Sequence, residues 1–143
     1  MIVLDTYFSS LVFRRSQTAG DSAAARALFE QLINNETPLA VPAIVVPELL
    51  SRVRHERQFD QLQTSLEGLQ ILPAALDHHV MAARITNQCL AAGVTPSTID
   101  ALIAAQTIAS GGALLSYDED FGRMASHCGL QLHDFGEETQ GCR

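Results

Sequence analysis

Apolar positions along this chain fall into two alternating patterns, short unbroken runs and longer stripes at helical spacing. The first run, "MIVLD", ends on a carboxylate and reads as a buried strand. In "DSAAARALFEQLINN", Ala25, Leu28, Phe29, Leu32 and Ile33 share one helical face, with Asp21 or Ser22 available as the cap. "PLAVPA" is a second short strand. "IVVPELLSRVRHERQF" then reads as a helix, provided Pro47 lies in its first turn, where the missing amide removes no helical bond. Leu62, Leu66 and Leu69 carry the stripe onward into "LQILPA", a third strand.

The rhythm repeats in the second half. Asp77 is placed to cap "HHVMAARITNQCLAA", which stops at Gly93. "PSTIDALIAAQTIASGG" follows as a helix closed by Gly111 and Gly112. "ALLSYD" is an apolar strand finishing on an acid, "EDFGRMASHC" a short helix and "LQLHDF" a last strand, before the polar tail "GEETQGCR". Strands separated by helices imply crossover units. The expected fold is therefore α/β, with a mainly parallel central sheet of about four to five strands flanked by helices. No linker, repeat or low-complexity stretch interrupts it, which predicts one domain over residues 1–135 and a tail over 136–143.

Composition narrows the class. Apolar residues at 47% and charged ones at 17% belong to a globular chain with a sizeable core. No apolar run reaches the roughly 20 residues of a membrane span, and "MIVLDTYF" has no basic leader, so a cytoplasmic protein away from membranes is expected. Cys89, Cys128 and Cys142 form no CxxC pair and read as reduced thiols. Adjacent residues on a helix point about 100° apart, so His78 and His79 disfavour a zinc site and are expected to face solvent. The formal charge is −7, and every base is an arginine. Such acidity argues against a general nucleic-acid coat, which binds by neutralising phosphate. Arg52, Arg54 and Arg57 in "RVRHER", with Arg14 and Arg15, either recognise phosphate or carboxylate or are ordinary solvated helix faces.

The single charge in "PSTIDALIAAQTIASGG" is Asp100, at the head of an otherwise small and apolar helix. Asp5 ends the first strand and Asp118 ends "ALLSYD". In an open parallel sheet, functional groups collect at those carboxyl ends. Glu48 and Asp100 fall near helix starts that reach the same edge, with Asp120 close behind. Each acid also has a local explanation: a capping box from Ser97 to Asp100, a cap at Asp118 or Asp120, a turn at Asp5, a dipole partner at Glu48. Those explanations leave open why all four interrupt apolar segments at one edge. Clustered carboxylates repel, so such a site persists best around a cation, and all-oxygen donors select Mg²⁺ or Mn²⁺.

Taken in order, "VLDT", "VPAIVVPELLSRV", "TIDALIAAQTIASGG" and "LLSYDEDFGRM" resemble the PIN-domain ribonucleases, above all the VapC-type toxins of toxin–antitoxin pairs. The resemblance runs from Met1 to about Phe135. Its specific part is an Asp leading an Ile-Ala-Ala helix, then Ser-x-Asp-x-Asp-Phe, with Asp118 following Asp100 by 18 residues. It implies a PIN-like fold in which Asp5, Glu48, Asp100 and Asp118 form an acidic quartet for Mg²⁺ or Mn²⁺. Asp120 would be an additional acid, with Ser116 and Thr6 in support. Asp5, Asp100 and Asp118 would hold the principal ion, and Glu48 would complete a second site or orient water. It further implies hydrolysis of RNA phosphodiester bonds, homodimers, and a cognate antitoxin that blocks the site.

Two positions depart from the family's pattern. Tyr7 stands where a small residue is commoner, so a ring is placed to crowd or stack in the substrate channel, and Pro47 immediately precedes Glu48. Other α/β phosphate chemistries fit less well. A receiver domain needs a lysine, which the chain lacks, and a haloacid-type phosphatase needs an Asp where Tyr7 stands. A catalytically silent PIN fold that only binds a partner is the remaining alternative. The apolar stripes through residues 44–69 exceed what a single sheet covers, which also predicts a homodimer.

Overall fold

The computed structural model describes residues 1–14 and 19–133. Its four strands, β1 (Ile2–Leu4), β2 (Leu39–Pro42), β3 (Gln70–Leu72) and β4 (Ala113–Leu115), form one sheet in the order β3-β2-β1-β4. Every pairing is parallel, with Val3 opposite both Ala40 and Leu114, and Val41 opposite Ile71. β1 and β2 are buried along their whole length, which is why they read as unbroken apolar runs.

Helices make every crossover. α1 (Thr6–Phe13) and α2 (Ala19–Asn34) join β1 to β2, and α3 (Val45–Leu50) and α4 (Glu56–Glu67) join β2 to β3. α5 (Leu76–Ala91) and α6 (Thr98–Ser110) return the chain to β4, and α7 (Glu119–Ala125) follows it. The chain thus steps outward from β1 to β3 and then comes back to the other side of β1. The order of strands reverses between β1 and β4, and their carboxyl ends flank the crevice where such sheets place their ligands.

The core is built from Val3, Leu4, Val41, Leu114 and Leu115 of the sheet, with Phe8, Leu49, Ile103 and Phe121 closing over it. α6 is buried continuously from Ala101 to Thr107, packed on α5 and against β2 and β4, so its apolar character all round is required by its position. Its two terminal glycines have separate duties. Gly111 ends the helix in the left-handed region at φ 72°, which favours glycine. Gly112 passes so close to β1 that a Cβ there would lie 2.5 Å from the Met1 carbonyl oxygen. The next amide, of Ala113, donates to that same oxygen at 3.1 Å and starts β4 in register.

Several elements differ from the sequence reading. α1 was not anticipated. The helix expected from Ile44 through Phe59 is broken into α3 and α4 by a turn at Ser51–His55, where Arg52 takes φ 68°. Pro47 does sit in the first turn of α3. α2 is already helical at Ala19, so Asp21 lies within its first turn and Ser22 is buried inside the helix, and neither caps it. Of its predicted apolar face, Ile33 is instead 48% exposed. The N-cap of α5 is Ala75, not Asp77. The half-buried His78 folds back so that its Nδ1 accepts the Ala75 amide at 2.9 Å, which is why it does not simply face solvent. β4 stops at Leu115, and Ser116–Asp118 is a connection rather than strand. Of "LQLHDF", Leu132 forms one parallel bridge with Leu114, while Asp134, Phe135 and the tail lie outside the described residues.

Of the apolar stripe through residues 44–69, Val45, Leu49, Leu62 and Leu66 are buried, while Ile44, Val46, Leu50, Val53, Phe59 and Leu69 are only partly so. The described cysteines, Cys89 and Cys128, are free thiols, and Cys142 lies outside the described residues. Among the described residues no helix is long and apolar enough to cross a membrane.

Candidate active site

The carboxyl end of β1 delivers Asp5, and this carboxylate works in two directions. As N-cap of α1, its Oδ1 accepts the Phe8 amide at 2.8 Å. Its Oδ2 accepts the Ser116 hydroxyl from the end of β4. The residue is only 2% exposed. Burial pushes its carboxyl from the ordinary 3.8 up to about 6, and the bonds from Ser116 and Phe8 offset this only in part. The charges of Asp118 and Asp100 push it the same way as burial does.

Ser116 ties the next acid in. Its Oγ also accepts the Asp118 amide at 2.9 Å, turning the chain off the sheet. Asp118 then caps α7, its Oδ1 accepting the Asp120 amide at 3.0 Å. Across the crevice, Ser97 caps α6 by accepting the Asp100 amide at 3.1 Å. The return half of a capping box, from the Ser97 amide to the Asp100 carboxylate, is absent among the described hydrogen bonds. The Ser97 hydroxyl thus meets both the backbone and the carboxylate of Asp100, at the edge of the crevice. Burial raises that carboxyl's pKa, the Ser97 hydroxyl opposes the rise, and Asp118, Asp120 and Glu48 reinforce it.

Glu48 stands in the first turn of α3, and its Oε1 accepts the Thr6 hydroxyl at 2.5 Å, linking α3 to α1. All the acids singled out in the sequence, with Ser116 and Thr6, thus stand at one sheet edge. The tightest grouping is Asp100, Asp118 and Asp120, whose carboxylate oxygens lie within 4.8 Å of one another. Asp5 lies outside that trio, behind it and joined to Asp118 through Ser116. Arg123 is an unforeseen member. One turn along α7, its Nη1 bonds Asp120 at 2.7 Å, a contact signalled only by their spacing of three.

The donors that converge here are hard carboxylate oxygens, with no imidazole or thiolate in the trio. That donor set suits a hard divalent cation. The buried side is closed by Asp5, and the exposed side by Asp120. There Tyr7, 46% exposed, borders a depression of about 350 Å³ with Tyr117, Asp118, Asp120 and Arg123. A separate groove of about 490 Å³, bordered by Phe13, Arg14, Arg52 and Arg54, includes none of these acids.

Comparison with known proteins bears on the family and the fold. A PIN domain family profile matches residues 2–126. No curated protein sequence matches the chain. A chain of the FitAcB crystal structure from Neisseria gonorrhoeae is similar at 21% identity, over 94% of this chain and 97% of that one, with a TM-score of 0.74. VapBC2 from Rickettsia felis, bound to a DNA fragment from its promoter, matches at 21% identity over 93% and 98%, with a TM-score of 0.72. VapC20 of Mycobacterium tuberculosis, a sarcin-ricin loop cleaving toxin, matches at 16% identity over 91% and 98%, with a TM-score of 0.63. Likeness at such identities is a likeness of fold.

Proposed function

This chain belongs to the PIN domain family, and from that premise we propose that it is a Mg²⁺- or Mn²⁺-dependent endoribonuclease, the toxin of a toxin–antitoxin pair. The observation that carries the reading is the convergence of Asp100, Asp118 and Asp120 within 4.8 Å, at the point where the strand order reverses. These three would hold the ion, with Asp5 as the buried charge behind them. When bound, the cation acidifies a water and offsets the charge that grows on the phosphate oxygens.

The chain's own groups set the geometry. Ser116 fixes Asp5 relative to Asp118, and Thr6 fixes Glu48 beside Asp100, where it is placed to orient water or complete a second site. Asp120, held by Arg123, forms the lip over which a strand would enter. Likeness to solved structures supports the partners. The neighbours include a sarcin-ricin loop cleaving toxin and toxin–antitoxin complexes. An antitoxin that covers the acidic crevice, and a second copy of this chain, complete the reading.

RNA incubated with the protein in Mg²⁺, Mn²⁺ or EDTA tests it. Cleavage should require the ion and should vanish in Asp100→Asn, while the circular dichroism spectrum stays unchanged. Cleavage that survives in EDTA, or in that variant, overturns the proposal.

A further inference from the structure

Tyr7 does nothing for the core. α1 turns Phe8, Ser9 and Leu11 inward, while the Tyr7 ring remains 46% exposed two residues after the buried Asp5. The Ser10 hydroxyl donates to the Tyr7 carbonyl, a bond that uses only its backbone. The ring forms one wall of the depression whose other walls are Tyr117, Asp118, Glu119, Asp120 and Arg123. Tyr117 is itself braced edge-to-face on Phe8, with ring centroids 5.5 Å apart. The depression, at about 350 Å³, is at the lower end of the roughly 300–1,000 Å³ of small-ligand sites. Its one cation, Arg123, is already engaged by Asp120 at 2.7 Å and by Glu119 at 3.9 Å. An acid-lined wall repels a phosphate backbone, so an entering strand would find its attraction there in the aromatic face.

We propose that the Tyr7 ring is the stacking platform for a nucleobase next to the scissile phosphate, making Tyr7 a positioning residue for a single-stranded RNA. The inference rests on the ribonuclease reading above. Every base offers a π-face, so the platform is tolerant of sequence and sets where the strand lies more than which strand is taken.

The test compares the parent, Tyr7→Phe and Tyr7→Ala, each also carrying Asp100→Asn so that the strand survives titration. Two probes are used in Mg²⁺, a mixed-sequence octaribonucleotide and an abasic ribose-phosphate octamer of the same length. Tyr7→Ala should weaken the octaribonucleotide by about 5- to 150-fold, the range of one lost aromatic–base stack. Tyr7→Phe should bind as the parent does, and the abasic strand should bind all three proteins equally weakly. Equal binding of the octaribonucleotide by Tyr7→Ala and the parent overturns the inference. So does an equal loss on the abasic strand, which would mean that the ring only supports the fold or the backbone path. A Mn²⁺-induced rise in melting temperature in the Tyr7→Ala single variant should match wild type, showing the acid cluster intact. If wild type cleaves RNA in an ion-dependent way and Tyr7→Ala cleaves it with unchanged KM, the stacking inference alone fails. If wild type does not cleave RNA, the ribonuclease reading fails with it.

Discussion

Asp5 shows how one residue carries both the stability cost and the chemistry of the crevice. Its native carboxyl titrates near 6 and its ordinary value is 3.8, so between those values the native state keeps a proton that the unfolded chain has lost. Stability from this group is therefore fully present below about pH 4, declines as pH rises to about 6, and is level above that. The difference between 3.8 and about 6 corresponds to about 3 kcal/mol. In EDTA, urea denaturation from pH 5 to 7.5 should show wild type losing stability relative to Asp5→Asn, whose amide oxygen can still cap α1. The same slope in both proteins would mean that another group is responsible. Asp100→Asn makes the companion prediction. It relieves repulsion from Asp118, Asp120 and Glu48 while leaving the Ser97 cap in place, so the metal-free variant should melt at or above wild type. Millimolar Mn²⁺ should then raise the melting temperature of wild type, by binding only the native state, and that of the variant much less. A destabilised apo variant, with no Mn²⁺ shift in wild type, would reduce Asp100 to a helix-start residue.

At the scale of elements, capping and site-building are joined, at α6 through the Ser97 hydroxyl and at α1 and α7 through the capping carboxylates themselves. Ser97→Ala removes the cap and its hydroxyl's bond to the Asp100 carboxylate, so it should cost about 0.5–2 kcal/mol by denaturant titration and, with Asp118 and Asp120 untouched, leave most of the Mn²⁺ shift in place. Loss of that shift would mean that Ser97 orients the Asp100 carboxylate and not merely the helix. Helix ends marked by chemistry were readable beforehand: Gly93 and Gly111 both take positive φ where α5 and α6 stop. α1 was not readable, because "TYFSSLVF" mixes aromatic, β-branched and hydroxyl residues with no clear helical period. It is helical because Asp5 caps it and Phe8 and Leu11 bury on the core, which are tertiary facts. The break between α3 and α4 contains neither Gly nor Pro, and Arg52 at φ 68° is a conformation that its residue type does not announce. In the crevice, the acids were legible as charges interrupting apolar runs. The trio of Asp100, Asp118 and Asp120 was not, since it depends on β4 ending at Leu115 and on the cap that turns α7.

The parallel sheet and its edge of acids followed from the alternation of runs and stripes, but which surface remains for a second copy did not. Residues 44–69, whose apolar stripes suggested the dimer, are covered in part within one chain: the turn after Ser51 folds α4 back so that Leu62 and Leu66 are buried, while Val46, Val53 and Phe59 stay partly exposed. Among the described residues, three of the exposed large apolar side chains share α5. Ala82, Ile85 and Cys89 face the core, while Leu76, at 79% exposure, Val80 at 46% and Leu90 at 49% are turned outward. At 100° per residue these three fall within about 80° of one another, and the exposed Ala83 and Asn87 fill the gaps between them. The stripe runs uncharged along about 21 Å of helix on a chain of net charge −7. A two-fold axis across such a stripe would lay it against its own copy without burying a charge. Light scattering at micromolar concentration should give twice the mass of one chain. Val80→Asp should give one chain's mass with a melting curve little changed at low concentration, because Val80 lies on the outward face of α5. A wild-type monomer would remove the dimer from the proposed function, and a Val80→Asp dimer would move its interface away from α5.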